Sequence, residues 1–151
     1  MENTPNKPVF ISYSHRDARW LKRLQTHLRP LERGGKVQPW DDTHLRAGDD
    51  WRQGIEKALG EARVAVLLIS ADFLASDFIH EVELPRLLAG AEGEGTVILP
   101  LILSPCLFRQ MPELARFQAV NSPDRPLSDL SRGKQEAVLV DLARRIGELV
   151  G

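Results

Sequence analysis

Arg63-Val64-Ala65-Val66-Leu67-Leu68-Ile69-Ser70 decides the fold. An aliphatic run with no polar alternation describes a strand that is dry on both faces. Such strands belong to parallel sheets with helices packed on each side. Upstream, Val9-Phe10-Ile11 is a second compact apolar run, ending in Ser12-Tyr13-Ser14. Downstream, residues 96–103 form a third. Residues 36–40 read as a short edge strand, because Pro39 cannot donate to a central ladder. Residues 117–121 read as a fifth short strand.

Between these runs the period changes. Trp20, Leu21, Leu24, Leu28 and Leu31 recur at helical spacing and predict an amphipathic helix over 16–31, stopped by Gly34-Gly35. Trp51, Ile55, Ala58 and Leu59 mark a second helix. Residues 70–90 are helical in tendency, with a break expected at Pro85. A proline-rich stretch, 104–132, reads as irregular, and Val138, Leu142, Ile146 and Leu149 stripe a terminal helix. The expectation is an α/β open parallel sheet of about five strands with helices on both faces. Residues 1–7 read as a disordered lead and 8–151 as one domain. Ligands of such sheets bind beyond the carboxyl ends of the strands, near a switch in strand order. That edge carries 12–16, the 41–50 loop and the segment after Ser70.

Bulk properties narrow the function. The chain has 151 residues, 20 basic and 21 acidic, for a formal net charge of −1. No overall field favours nucleic acid or an anionic membrane, and the basic crowd from Arg16 to Arg33 reads as a solvated helix face. Cys106 is the single cysteine, so no internal disulfide or paired-Cys metal site forms, which suits a reducing cytoplasm. Residues 1–8 show no apolar leader, and the apolar runs are too short to span a bilayer.

Three segments could carry chemistry. Phe10-Ile11-Ser12-Tyr13-Ser14-His15-Arg16-Asp17 joins a strand to a helix, where hydroxyls and N–H groups either hold a phosphate or sugar or simply cap the helix. Trp40-Asp41-Asp42-Thr43-His44-Leu45-Arg46-Ala47-Gly48-Asp49-Asp50-Trp51 is acidic but lacks the alternating ligands of a calcium loop. Its Asp49 or Asp50 suits a helix cap. Residues 70–84, from Ser70 through Asp77-Phe78-Ile79-His80-Glu81-Val82-Glu83-Leu84, follow the central strand. Glu81 and Glu83 lie about 200° apart on a helix, so at most one faces a pocket. No G-x-S-x-G elbow supports a serine triad, and neither strand end offers the acidic cluster of a phospho-accepting receiver domain.

Together these segments resemble the three boxes of TIR (Toll/interleukin-1 receptor) domains, of the bacterial kind fused to defence and signalling effectors. Val9-Phe10-Ile11-Ser12-Tyr13-Ser14 is similar to the first box. Trp40-Asp41-Asp42 through Gly48-Asp49 is similar to the second. Ser70, Phe73, Leu74, Ser76 and Phe78 running to Glu83-Leu84 resemble the catalytic helix region. The resemblance implies a flavodoxin-like fold. It further implies an NAD+ glycohydrolase that releases nicotinamide and ADP-ribose or a cyclic product, with NAD+ as substrate and no cofactor. It assigns catalysis to Glu83; Glu81, three residues from Phe78 and so able to share its helix face, stays as the alternative. It builds the substrate pocket from Ser12, Tyr13, Ser14, Arg16, Trp40, Gly48, Ser70, Phe73 and Phe78. Self-association through the 41–50 loop and a fused sensor domain are implied as well, as is a second role as a non-catalytic TIR–TIR scaffold. The chain departs from the family in one place. Many members carry tryptophan four residues before the glutamate, whereas here Ile79 holds that position and Phe78 stands five before Glu83. On a regular α-helix five residues do not share a face. Pro85 deletes the hydrogen bond to the Glu81 carbonyl, and either a distortion of that turn or a π-bulge would bring Phe78 and Glu83 together.

Overall fold

The computed structural model describes residues 8–150; the lead expected at 1–7 lies outside them. Its elements run β1 (Pro8–Ser12), α1 (Ala18–Arg33), β2 (Gln38–Trp40), α2 (Trp51–Glu61), β3 (Val64–Ile69), α3 (Ala71–Ala75), a π-helical turn (Ile79–Glu83), α4 (Leu84–Gly93), β4 (Val97–Ile102), α5 (Pro112–Ala115) and α6 (Arg132–Val150). The sheet has four strands in the order β2-β1-β3-β4, every pair parallel.

The aliphatic run does what its composition dictates. Along β3, Val64, Val66 and Leu68 face a core layer built by α1 and α6. Ala65, Leu67 and Ile69 face the opposite layer, built by α2, α3 and α4. This alternation is the pleat expressed on a strand with no wet side. Trp20, Leu21, Leu24 and Leu28 supply the buried stripe of α1, and Leu139, Leu142 and Ile146 that of α6. Among the described residues no helix is long and apolar enough to cross a membrane.

Two expectations are corrected. Residues 117–121 do not form a fifth strand. The Val120 N–H donates to Pro100 O at 2.8 Å, but the next ladder positions are filled by a side chain. Asn121 accepts from Ile102 N at 2.9 Å and donates to Ile102 O at 3.0 Å. One amide thus caps the β4 edge where a strand would have run. Second, the 70–90 helix breaks at Ser76 rather than Pro85. Pro85 sits in the first turn of α4, where a missing N–H is tolerated.

Chain order places the switch between β1 and β3. From β1 the chain passes to β2 on one side, then returns through α2 to β3 on the other. The crevice beyond Ser12 and Ile69 is therefore the expected binding edge.

Candidate active site

The site is assembled by three strand ends. β1 ends at the buried Ser12, and the chain turns through a 3-10 turn at His15–Asp17. Ser14 caps that turn, accepting from Arg16 N at 3.3 Å. After β2, the buried Asp41 accepts from Thr43 N at 2.9 Å and from Gln25 Nε2 at 2.8 Å. These bonds set the 3-10 turn Asp42–His44. After β3, Ser70 caps α3, accepting from Phe73 N at 3.0 Å and donating to Asp17 Oδ2 at 2.5 Å. The half-buried Asp17 carboxyl is pushed above its ordinary value, chiefly by desolvation.

The turn that matters most follows α3. Ser76 Oγ accepts from Ile79 N at 3.2 Å, and the ladder then widens: the Leu84 N–H reaches back five residues to Ile79 O. A π turn spans five residues where an α turn spans about four. Phe78 and Glu83, five apart, therefore come to one side. Glu83 is only 8% exposed and receives a hydrogen bond from Ser12 Oγ at 2.6 Å. Glu81 points outward and is exposed.

Glu83 opens onto a pocket of about 540 Å³ at the sheet edge. Tyr13, His15, Asp42, Trp51 and Phe78 form much of its wall. The Trp51 and Phe78 rings meet at 5.8 Å and 58°, and Trp51 is 50% exposed. Asp42 ties the wall together, accepting from Tyr13 OH at 2.7 Å and facing His15 Nε2 at 2.5 Å. Desolvation pushes the Glu83 carboxyl from 4.5 up to about 7; nearby Asp42 adds to the rise, while the Ser12 bond and His15 oppose it. Burial and the Asp42 carboxylate likewise push the Tyr13 phenol up, so it stays a neutral donor. A groove of similar volume, about 550 Å³, runs along α1 between Lys22 and Arg33, but it lies away from the strand ends and contains no carboxylate.

The pocket gathers Tyr13, Ser14, Arg16, Phe78 and Glu83 among the residues expected there, with Ser12 bonded behind Glu83. Four others fall elsewhere. Trp40 turns back to stack on Phe10 at 5.4 Å and on His44 at 6.1 Å. Ser70 is spent as a helix cap, and Phe73 is wholly buried in the core. Gly48 is exposed at φ +94°, a left-handed turn position suited to glycine. Asp50, not Asp49, caps α2, accepting from Gln53 N at 3.1 Å. Among the described residues no cluster of three or more His, Cys, Asp and Glu side chains could hold a metal ion. Sequence reasoning assigns no pocket role to His15 or Trp51, and reaches Asp42 only as part of the loop around Trp40–Gly48. The usable signal for Trp51 was a large aromatic at the first position of an amphipathic helix, directly after the acidic loop.

The family model described as "TIR domain" matches residues 9–137. The chain belongs to the TIR-domain family. Its bacterial TIR relatives include the NAD(+) hydrolase PdTIR of Paracoccus denitrificans, 30% identical over 102 residues, covering 67% of this chain and 33% of that protein. The 2' cyclic ADP-D-ribose synthase AbTIR of Acinetobacter baumannii is 26% identical over 143 residues, covering 91% of this chain and 51% of the relative. The uncharacterized protein y4lF of Sinorhizobium fredii is 31% identical over 120 residues, covering 80% of this chain and 37% of its own. The TIR domain thus spans about half or less of each of these curated relatives. Solved TIR domains share the fold. That of the Toll-related receptor TRR-2 of Hydra magnipapillata gives a TM-score of 0.56 at 19% identity, covering 91% of this chain and 96% of the other. The TIR domains of the activated Roq1 resistosome give 0.57 at 24% identity, with coverages of 92% and 84%.

Proposed function

We propose that this TIR domain cleaves the bond between nicotinamide and ribose in NAD+, with Glu83 as the catalytic carboxylate. One observation carries the reading: a buried carboxylate opens onto the pocket at the strand switch point, beside a pair of aromatic rings. The chemistry asks for little more. Nicotinamide leaves as a neutral base, because the breaking C–N electron pair returns to its cationic ring. No general acid is required. Positive charge grows on the ribose, and a carboxylate held in a site of low dielectric stabilises it and accepts hydrogen bonds from the ribose hydroxyls. Water adding to the ribose carbon yields ADP-ribose; a hydroxyl of the same molecule adding instead yields a cyclic product. Phe78 and Trp51 offer ring faces to a base, and the exposed Arg16 offers charge to a phosphate.

The names of two bacterial relatives, an NAD(+) hydrolase and a cyclic ADP-ribose synthase, support the reading. Self-association through the 41–50 loop, and fusion to a sensor domain in a cytoplasmic defence or signalling protein, belong to the same proposal. A scaffold role is favoured by one further observation: TIR domains of similar fold occur in assemblies, the Roq1 resistosome and the RPS4–RRS1 heterodimer. NAD+ loss over time at high protein concentration separates the two. The enzyme reading expects loss that Glu83→Ala abolishes and Glu81→Ala spares. Intact NAD+ under oligomerising conditions leaves the scaffold.

A further inference from the structure

Cleavage as described uses Glu83 but leaves a proton unaccounted for. A hydroxyl nucleophile, from water or from a sugar, must lose its proton as it bonds to the ribose carbon. The pocket's potential acceptors are largely committed. Glu83 Oε1 accepts from Ser12, which leaves its other oxygen for the ribose hydroxyls. Both Asp42 oxygens are engaged, Oδ1 by Tyr13 and Oδ2 by His15. Ser14 Oγ accepts from Arg16 N and Ser76 Oγ from Ile79 N.

His15 is different. Its Nε2 faces the Asp42 carboxylate at 2.5 Å, and its ring rests against Tyr13, with centroids 5.4 Å apart. Asp42 itself is steadied by the Asp41-capped turn and by the Tyr13 hydroxyl. A neutral imidazole that donates from Nε2 to a carboxylate presents Nδ1 as an acceptor. Among the described residues Nδ1 has no partner, the side chain is 77% exposed to water, and the ring lines the same pocket as Glu83.

We propose that His15 is the proton acceptor for the hydroxyl nucleophile, with Asp42 as the positioning residue that holds its tautomer. This rests on the NAD+-cleaving reading. The step balances: the nucleophile's oxygen bonds to the ribose carbon, the carbon–nitrogen pair leaves with nicotinamide, and the hydroxyl proton passes to His15 Nδ1 and then to solvent. Work is thereby divided across the pocket. Glu83 stabilises the sugar cation and His15 readies the incoming oxygen.

A nucleophile with no proton to lose tests the division. Acetylpyridine attacks through its ring nitrogen, so exchange of nicotinamide for acetylpyridine bypasses His15, whereas hydrolysis does not. Both products are followed chromatographically in one reaction. His15→Gln is expected to slow hydrolysis by about a hundredfold, the scale of general-base catalysis, and to raise the ratio of exchange to hydrolysis at least about tenfold. Asp42→Asn should move the ratio the same way, because an amide facing Nε2 can shift the ring proton to Nδ1. Glu83→Ala should lose both reactions. An unchanged ratio in His15→Gln, whether both rates fall together or neither falls, overturns the assignment while leaving the NAD+ reading intact. NAD+ left untouched by the unsubstituted protein overturns both.

Discussion

Replacing Glu83 with glutamine should make the protein more stable while removing the proposed NAD+ cleavage. The buried carboxyl is lifted from 4.5 to about 7, with desolvation as the leading cause. At about 1.4 kcal/mol per pH unit, that difference corresponds to about 3 kcal/mol as a ceiling. The sign follows from proton linkage. Between pH 4.5 and about 7 the unfolded chain carries this carboxylate ionised while the folded chain keeps it protonated. The native state then binds more protons, so stability falls as pH rises through that window, and the full cost is present above it. Glutamine has nearly the same shape, can still accept the Ser12 hydrogen bond and never ionises. Urea unfolding of both proteins at intervals from pH 4.5 to pH 9 measures the difference. The variant should match the parent near pH 4.5, gain through neutrality and be more stable by about 2–3 kcal/mol at pH 8. A difference that does not vary with pH, or a parent more stable than the variant at pH 8, refutes the desolvated carboxylate. Such a cost, retained by a marginally stable fold, is what a functional site held against stability looks like.

Ser12→Ala removes a donor that favours the charged form of Glu83, so the carboxyl should rise further. Because the proposed step needs the carboxylate, the acidic limb of the kcat/KM profile should lie near pH 7 in the parent and move to higher pH in the variant. An unmoved limb would show that Ser12 does not tune the reacting group. Deleting Glu81 should convert the π turn to an α turn and leave Phe78 four residues before Glu83, still on one face. NAD+ cleavage should then survive within about tenfold, with helical circular dichroism unchanged. Loss on the scale of Glu83→Ala would mean that the wider turn itself, not the shared face, is required.

The layout of the sheet was legible in the chain because its cause is local and repeated. The uninterrupted run 64–69, short and rich in β-branched residues, reads as a strand dry on both faces, and α1 declares its stripe through Trp20, Leu24 and Leu28. The supposed strand at 117–121 misled because apolar residues near β4 satisfy that edge equally well through the Asn121 amide, a tertiary choice with no periodic signature. Trp40, Ser70 and Phe73 misled in a related way. Each sits in a segment that leads to the pocket, yet a stacked ring, a helix cap and a core packing position claim them first.

By itself the sequence determined the α/β alternation, the strands whose ends meet at the binding edge, and the rule that Glu81 and Glu83 cannot both face one pocket. These follow from periodicities written within one or two turns of chain. Only the tertiary structure decided which glutamate turns inward. That choice depends on a single widened turn ahead of Pro85 and on a Ser12 hydroxyl 71 residues away in sequence. The same holds for the meeting of Tyr13, His15 and Asp42, which the ends of two strands, β1 and β2, bring together only once those strands pair.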